Sequence, residues 1–337
     1  MERWSESFEK IIVEESKLFC YPTRLLNTYE PNSYEIPQPE FEVDGFESTI
    51  KIAESLSGSL PEQIEIGFKG RLSTKFEMFF EGKTLKINNN YVYDARFMFN
   101  DNMAHLVQHH LATLGYIKAV LGYGNQDVVV VLGQNASKMV VDTFDLCGYE
   151  TIKTNRRVDG RHIKVTGKDF FHYLPFVSEI EINGLLEDTP KRVYIHRKTN
   201  RRVINNTEFS EFLSDVGFTE LYFEDLSIVE QWSVMKNAES IVAVHGAALG
   251  CLAFLAMSQT KIRPKLIELF GSGFVVNPFR KYMAALSGEW AGCRGQITSE
   301  VVRDIDIPGK HKLHAYDDFL ISTMTVENAL RYLNIID

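Results

Sequence analysis

The sequence predicts an α/β protein of two domains. The chain has 337 residues, which is about two average domain lengths. Its composition, 45% hydrophobic and 24% charged, is that of an ordinary globular protein. Short β-branched runs alternate with helical patterns along most of the chain. Strands separated by helices are expected to pair in parallel, with the helices covering the faces of the sheet.

The charge balance excludes a protein that coats nucleic acid. Asp and Glu number 45 against 36 Lys and Arg, so the net charge is −9. No stretch approaches the about 18 continuous apolar residues of a membrane-spanning helix, and the first residues lack a signal-peptide pattern. The four cysteines are too widely spaced for a CxxC pair and are expected to be reduced structural thiols. The expected location is the cytoplasm.

The N-terminal domain is predicted to span residues 1–185. Its first part, to about Ile50, is proline-containing and is interpreted as extended chain. A long helix is predicted within residues 94–122, where apolar residues recur every three or four positions and Asp101 or Asn102 can cap the start. A βαβ unit follows, with a strand, a helix and a strand at residues 127–133, 136–146 and 149–153.

The C-terminal domain is predicted to span residues 186–315, after a Gly-, Pro- and acid-containing boundary at 181–191. Its regular alternation predicts a doubly wound parallel sheet with ligands at the carboxyl ends of the strands. The strands are predicted at 192–197, 221–225, 240–246 and 265–270, and the helices at 206–216, 227–238, 247–256 and 277–286. A last helix, at 317–333 within the segment 316–337, is predicted to pack back on the N-terminal domain.

The segment AVHGAALGCLAFL is the sharpest local motif. A strand ends at Val244, His245 and Gly246 form a turn, and a helix begins near Ala247. The N–H groups at a helix start bind anions, and small residues let a ligand approach them. A tight turn that needs small residues only for packing explains the motif equally well.

The segment KRVYIHRKTNRR concentrates positive charge in an acidic chain. Six of its twelve residues are basic, namely Lys191, Arg192, Arg197, Lys198, Arg201 and Arg202. Arg197 stands where the strand ends, and its planar guanidinium suits two-point binding of a diphosphate. Individually, Lys198, Arg201 and Arg202 are better explained as a solvated basic loop.

Two further groups of residues have the spacing of chemical sites. His105 and His109 share one helix face; a zinc site is disfavoured because no third ligand has recognisable spacing, which leaves a catalytic base or a substrate contact. His110 is interpreted as a surface residue. Asp304 and Asp306 form a DxD that could hold a divalent ion, although an alternating short strand is the favoured interpretation.

The order of these segments resembles glycosyltransferase family 61 over about residues 95–275. The basic loop with Arg197 is followed by NNTEFSEFLSDVGF, FEDLSIVEQ, VHGAALGCLAFL and LIELF, and NMAHLVQHH resembles the upstream helix of the family. The resemblance implies a GT-B-like fold, in which two Rossmann-like domains face a central cleft. It also implies an inverting, metal-independent transfer from a nucleotide-sugar co-substrate, with no other cofactor.

The resemblance also implies roles for individual residues. The donor-binding candidates are Arg197 for the phosphates, His245, Gly246, Ala247 and Ala248 beneath the diphosphate, Glu268 for the ribose or sugar hydroxyls, Glu224, Asp225 and Gln231 around the base, and Arg202 without a more specific role. The acceptor-side candidates are Asn102, His105 and His109, with either histidine as the general base.

One position departs from the family pattern, because members commonly carry Asp where this chain has His109. A neutral imidazole can also accept the proton of a hydroxyl group, so three alternatives remain: a histidine base, a different acceptor chemistry, or reduced activity. The expected function is a glycosyltransferase of bacterial capsule or surface polysaccharide synthesis, acting on a glycan or lipid-linked glycan. This function leaves open a peripheral position at the inner face of the membrane.

Two other functions compete with this expectation. A non-catalytic binding or scaffold protein that keeps the glycosyltransferase fold is the main alternative, because the usual Asp is missing. A nicotinamide-dependent oxidoreductase or a sugar epimerase is disfavoured, because no GxGxxG follows the first strand of either domain.

Overall fold

The computed structural model describes residues 17–20, 49–54, 84–96, 102–166, 170–273, 278–296, 298–305 and 314–337. These residues form a mixed α/β protein with two sheets, one in each of two compact units. One unit is Gly45–Leu185, and the other is Leu186–Asp337 together with the chain up to Asp44. The division before Leu186 lies inside the boundary segment predicted from the sequence.

The described strands are β1 (Lys17–Cys20), β2 (Thr49–Glu54), β3 (Leu85–Asp94), β4 (Val128–Leu132), β5 (Glu150–Lys153), β6 (Val158–Thr166), β7 (Arg192–His196), β8 (Thr219–Tyr222), β9 (Ser240–Val244), β10 (Lys265–Phe270) and β11 (Glu289–Arg294). The strands predicted in the βαβ unit and three of those predicted in the C-terminal domain are present as β4, β5, β7, β9 and β10. The strand predicted at 221–225 begins two residues earlier, as β8, and gives way to a 3₁₀ turn at Phe223–Asp225.

The described α-helices are α1 (Met103–His105), α2 (Ala112–Leu121), α3 (Lys138–Leu146), α4 (Asn206–Asp215), α5 (Ile228–Asn237), α6 (Pro278–Ala285), α7 (Ser299–Ile305) and α8 (Thr323–Tyr332). A π-helical turn, Leu106–Leu111, joins α1 to α2, so the long helix predicted here is present with a local change of winding. Two 3₁₀ helices span Phe170–Glu179 and Ala247–Met257. In the described part of the chain, no helix is long and apolar enough to cross a membrane.

The sheet of the first unit has the order β2-β6-β3-β4-β5, parallel except for β2 against β6. Strand β4, between β3 and β5, is an unbroken apolar run of four valines and a leucine whose five residues are all buried. The helical run α1–α2 packs on the Phe170–Glu179 helix. Gly115 stands at their closest approach, because a Cβ there would lie 1.9 Å from the Phe176 carbonyl oxygen.

The sheet of the second unit has the order β1-β11-β10-β9-β7-β8, and every described pair is parallel. From β7 the chain moves outward to β8, and it then returns to build β9, β10 and β11 on the other side. The direction of the connections therefore reverses between β7 and β9. In open α/β sheets, such a reversal creates a crevice at the carboxyl ends of the two strands, where ligands bind.

Two predictions about the chain ends were wrong. Lys17–Cys20, assigned to the N-terminal domain, pairs with β11 in the second sheet. Helix α8, expected on the N-terminal domain, instead packs on the sheet that it follows: its Ala329 and Leu330 share one core with Tyr194 and Val242. An amphipathic helix buries its apolar face against the nearest open sheet face, and α8 finds that face within its own unit.

The predicted DxD strand is also wrong where the structure describes it. Asp304 lies in helix α7, and Asp306 lies outside the described residues.

Candidate functional site

Arg197 and the turn His245–Gly246 meet where the strand order reverses. Arg197 follows β7, and the turn follows β9. A Cβ on Gly246 would lie 1.9 Å from the Arg197 Nη1, so the guanidinium occupies the space that only glycine leaves open. Arg197 Nη2 donates to Asn200 Oδ1 at 3.1 Å. Its Nε is buried and has no hydrogen-bond partner among the described residues, which leaves a strong donor unpaired.

Gly246→Ala is expected to weaken donor binding while leaving the fold intact. The new methyl group would push aside the far end of a flexible Arg197 side chain, which costs little stability but moves the guanidinium out of the crevice. Nucleotide affinity measured by calorimetry should fall, and the melting temperature should stay at the wild-type value. Gly271→Ala is the matched control, because among the described residues its Cβ would meet no atom closer than 3.7 Å. Equal nucleotide affinity in the two variants would contradict the expectation.

Arg201 brings a second guanidinium to the same turn. Its Nη1 donates to the His245 carbonyl oxygen at 3.1 Å, and its Nε donates to the Ala315 carbonyl oxygen at 2.6 Å. Burial and the nearby positive charge of Arg197 lower the pKa of Arg201. Two cations that repel each other at one turn form a site for an anion. From the sequence, Arg201 was interpreted as part of a solvated loop. The local sequence could not show its partners, because they lie 44 and 114 residues away along the chain.

His245 lies against the buried carboxylate of Glu268. Its Nδ1 lies 2.6 Å from Glu268 Oε1, and Trp290 Nε1 donates to Glu268 Oε2 at 2.8 Å. Glu268 is 0% exposed. The expected contact with ribose or sugar hydroxyls requires an accessible carboxylate, so the structure gives Glu268 a different place: it orients His245 beneath the turn.

Ala247 and Ala248 are half-buried in the first turn of the 3₁₀ helix that follows Gly246. The helix expected here is therefore present, wound more tightly than an α-helix. The start of this helix lies next to the Arg197 guanidinium, because Gly246 directly precedes Ala247 and packs against that guanidinium. The place of Ala247 and Ala248 beneath a diphosphate stays a prediction.

The remaining donor-site candidates have protein partners. Arg202 is exposed and pairs with Asp318, Nη2 to Oδ2 at 2.6 Å. Gln231 is committed to the main chain, because its Nε2 donates to the carbonyl oxygens of Phe223 and Leu226. Gln231 therefore braces the turn at the start of α5 rather than offering its amide nitrogen to a base.

The two acidic candidates, Glu224 and Asp225, are exposed and lie beside Lys198. Asp225 pairs with the Lys198 ammonium group, and Glu224 accepts from the Lys198 main-chain N–H at 3.4 Å. In the residues that follow, Ser227 and Glu230 form a capping box at the start of α5.

The acceptor-side candidates lie in the first unit, at the start of the helical run. Asn102 Oδ1 accepts from the Ala104 N–H at 2.9 Å and caps α1. The rings of His105 and His109 are stacked, with centroids 5.5 Å apart and planes at 9°. His105 Nδ1 lies 3.4 Å from His109 Nε2. Desolvation lowers the pKa of both, that of His109 to about 4, so both imidazoles are neutral at physiological pH.

His110 is buried, not on the surface as expected from the sequence. It is 1% exposed, and its Nδ1 lies 3.1 Å from the Tyr93 hydroxyl group. Regular helical spacing accounts for this burial, because His110 lies four residues after Leu106, three after Val107 and four before Leu114, all of which are buried. The surface interpretation overlooked that periodicity. Burial, with a smaller contribution from His109, lowers the pKa of His110 to about 3.

These buried histidines predict a loss of stability in mild acid. The unfolded chain binds protons below the ordinary histidine pKa of 6.5, whereas folded His109 and His110 bind them only near pH 4 and pH 3. Stability is therefore fully present above pH 6.5 and declines as the pH falls, by about 2 kcal/mol per histidine at pH 5. Urea unfolding between pH 7 and pH 5 measures the slope. His110→Gln should flatten it, and an unchanged slope in that variant would contradict the assignment.

Other candidate sites are few in the described part of the chain. No group of three or more His, Cys, Asp or Glu residues there could hold a metal ion. A cavity of about 280 Å³ lies beside Pro264 and Ala238, at the amino ends of β9 and β10. This is the edge of the sheet opposite the turn at Gly246, so the cavity is separate from the candidate site.

Comparison with known proteins supports a glycosyltransferase. Residues 98–262 match the family model described as Glycosyltransferase 61. The match confirms the resemblance to that family and the prediction of a glycosyltransferase, and it contains every candidate residue except Glu268. A search of curated proteins found no match.

Among solved structures, the chain is similar to the dodecameric, iron-containing heptosyltransferase TibC in complex with ADP-D-β-D-heptose. The TM-score is 0.37 at 9% sequence identity, over 75% of this chain and 78% of that chain. A similarity this low adds nothing to what the two sheets themselves show.

Proposed function

We propose that this chain transfers a sugar from a nucleotide-sugar donor to a glycan acceptor, with inversion and without a metal ion. The family resemblance supports the reaction class. The observation that carries the donor site is the buried Nε of Arg197 beside Gly246, which has no hydrogen-bond partner in the described part of the chain and lies at the reversal point of the second sheet. A doubly wound sheet binds its ligand at this point, and an unpaired guanidinium donor there selects an anion.

The donor diphosphate binds at the turn formed by His245 and Gly246. Arg197 and Arg201 bring two positive charges to this turn, and the 3₁₀ helix that begins at Ala247 adds main-chain N–H groups. As the bond between the anomeric carbon and the phosphate oxygen breaks, the nucleoside diphosphate leaves with the electron pair. Preorganised cations stabilise the negative charge that develops on this leaving group, which is the work a metal ion does in other transferases.

The stacked histidines supply the base. When His105 Nδ1 carries the proton and donates to His109 Nε2, the lone pair of His105 lies on Nε2. That nitrogen takes the proton of the acceptor hydroxyl while its oxygen attacks the anomeric carbon from the face opposite the leaving phosphate, which inverts the configuration. His109 then holds the His105 ring in the required orientation. A GT-B-like arrangement of the two units, with a cleft between them, is part of this proposal.

The family resemblance supports the rest of the proposal. The acceptor is a glycan or a lipid-linked glycan of a bacterial capsule or another surface polysaccharide. The enzyme works in the cytoplasm, including a peripheral position at the inner face of the membrane.

A panel of nucleotide sugars tests the proposal. The purified chain should be stabilised against heat by at least one nucleoside diphosphate and should release it from the matching nucleotide sugar, with and without EDTA. The product formed with a glycan acceptor should have the anomeric configuration opposite to that of the donor by NMR. Absence of binding to every nucleotide and nucleotide sugar would refute the proposal. Binding without transfer to any acceptor would favour the non-catalytic alternative.

A further inference from the structure

Tyr316 exposes a large aromatic ring between two buried residues of the C-terminal segment. It is 61% exposed, whereas Ala315 before it and Phe319 three residues after it are 9% and 3% exposed; Asp317 beside it is also exposed. An aromatic side chain held at the surface by buried neighbours presents a flat apolar face to solvent.

A single guanidinium links Tyr316 to the turn at Gly246. The central carbon of Arg201 lies 4.9 Å from the Tyr316 ring centroid, and Arg201 Nη1 donates to the His245 carbonyl oxygen at 3.1 Å. The Arg201 main-chain N–H donates to the Tyr316 carbonyl oxygen at 3.2 Å. The ring is therefore fixed beside the turn, with Arg201 between the two.

The main chain holds the two segments together beyond this contact. Val203 and Phe319 form a parallel bridge, and the Phe319 N–H donates to the Arg202 carbonyl oxygen at 2.9 Å. Arg201 has φ 59°, the left-handed region that residues other than glycine rarely occupy. Such backbone strain persists where the surrounding contacts enforce it, and it concentrates at ligand sites.

We propose that the ring of Tyr316 is the surface on which the base of the donor nucleotide stacks. The inference rests on the proposed function, because it needs a diphosphate at the turn of His245 and Gly246. One face of the ring lies toward the Arg201 guanidinium, and most of the residue is accessible to a ligand. A base that stacks there would add a third planar group to the stack of Arg201 and Tyr316. Aromatic stacking does not discriminate strongly between bases, because every base has a π face.

This place for the base differs from the one expected from the sequence. The base was expected between Glu224, Asp225 and Gln231, where the amide nitrogen of Gln231 is committed to main-chain carbonyl groups and Asp225 is paired with Lys198. Tyr316 has no such commitment of its ring face among the described residues beyond the contact with Arg201.

Calorimetry with nucleoside diphosphates and with pyrophosphate tests the proposal. For Tyr316→Ala, affinity for the preferred nucleoside diphosphate should fall about 5- to 100-fold, because stacking of one base is lost. Affinity for pyrophosphate, which has no base, should be unchanged. Tyr316→Phe should bind as the wild type does. Met324→Ala is the matched control, since Met324 is also exposed in the C-terminal segment, at 55%.

Two results with the Tyr316→Ala variant would overturn the proposal. Unchanged nucleotide affinity in Tyr316→Ala would place the base elsewhere. An equal loss for nucleotide and pyrophosphate would mean that Tyr316 acts only by holding Arg201. If wild-type protein binds neither a nucleoside diphosphate nor pyrophosphate, the proposed function itself fails. If wild-type protein binds both with the same affinity, the base makes no contact, and only the stacking inference fails.

Discussion

Replacing Arg197 with alanine should lower kcat/KM for the nucleotide sugar by about 10²- to 10³-fold, the usual effect of removing a preorganised donor that stabilises transition-state charge. Arg197 packs against Gly246 at the strand reversal, and its buried Nε has no hydrogen-bond partner among the residues that the structure describes. Its hydrogen bonds to a phosphate strengthen as negative charge develops there. The loss should therefore appear in kcat as well as in KM.

Nucleotide release under saturating acceptor measures this effect. Arg197→Lys keeps the charge but loses the planar fork, so its activity should lie between those of the wild type and the alanine variant. The melting temperature should hold in both variants, because the side-chain hydrogen bond described for Arg197 is the exposed one to Asn200.

Arg202→Ala provides the matched control. Arg202 belongs to the same basic segment, but it is exposed and paired with Asp318. An exposed ion pair contributes little to stability, and its removal should leave transfer near the wild-type rate. An active Arg197→Ala enzyme, or an equal loss in Arg202→Ala, would contradict the assignment of the donor site to Arg197.

The sequence was informative where local pattern decides structure. Strand β4 is an unbroken apolar run, β9 is one after Ser240, and β10 is apolar apart from Lys265 and Glu268. Predominantly apolar runs of this length between turn residues are typical of buried parallel strands. The Ser227–Glu230 capping box fixed the start of α5, because both of its hydrogen bonds are local. Arg197 and Gly246 could be selected as candidates because each follows such a strand.

Strands whose sequence lacks this pattern could not be predicted. β11 reads EWAGCR, with Gly, Cys and Arg in a strand that is buried from its second residue onward. β3 reads LKINNNYVYD, and its register against β6 shifts between Lys86 and Tyr91. The residues of both strands have weak intrinsic β-sheet propensity, so each strand depends on pairing with its neighbour in the sheet. That neighbour is distant in sequence.

Contacts between distant residues account for the differences at the candidate site. The role of Arg201 depends on Ala315 and Tyr316, more than 110 residues away in the chain. Local sequence shows that Arg201 lies in a basic loop, but not that a C-terminal segment covers that loop. The packing of helix α8 could not be predicted for the same reason. Its amphipathic pattern indicates a helix with one buried face, but it does not show which sheet that face covers.

Glu268→Ala should reduce the free energy of unfolding by about 3–5 kcal/mol, as when one partner of a buried pair is removed. The carboxylate is 0% exposed and accepts from Trp290, and its other oxygen lies 2.6 Å from His245 Nδ1. Alanine leaves both partners buried without an acceptor and leaves a cavity beside them. Denaturant unfolding measures the loss. Glu289→Ala is the control, since Glu289 begins the neighbouring strand with only a 3.8 Å surface pair to Arg263.

Glu268→Gln separates the orienting role of Glu268 from the sugar-binding role expected from the sequence. Glutamine keeps the shape, and its amide can accept from Trp290 with one atom and donate to His245 Nδ1 with the other, if the imidazole changes tautomer. If Glu268 orients His245, the Glu268→Gln protein should keep most of the wild-type free energy of unfolding. Its nucleotide affinity should fall modestly, because His245 is held less firmly. A residue that binds hydroxyl groups of the donor would behave differently: Glu268→Gln would lower affinity for the nucleotide sugar strongly, and Glu268→Ala would leave unfolding unchanged. The burial of Glu268 beneath the turn favours the first outcome, because a carboxylate without exposed surface cannot meet a ligand unless the core around it opens.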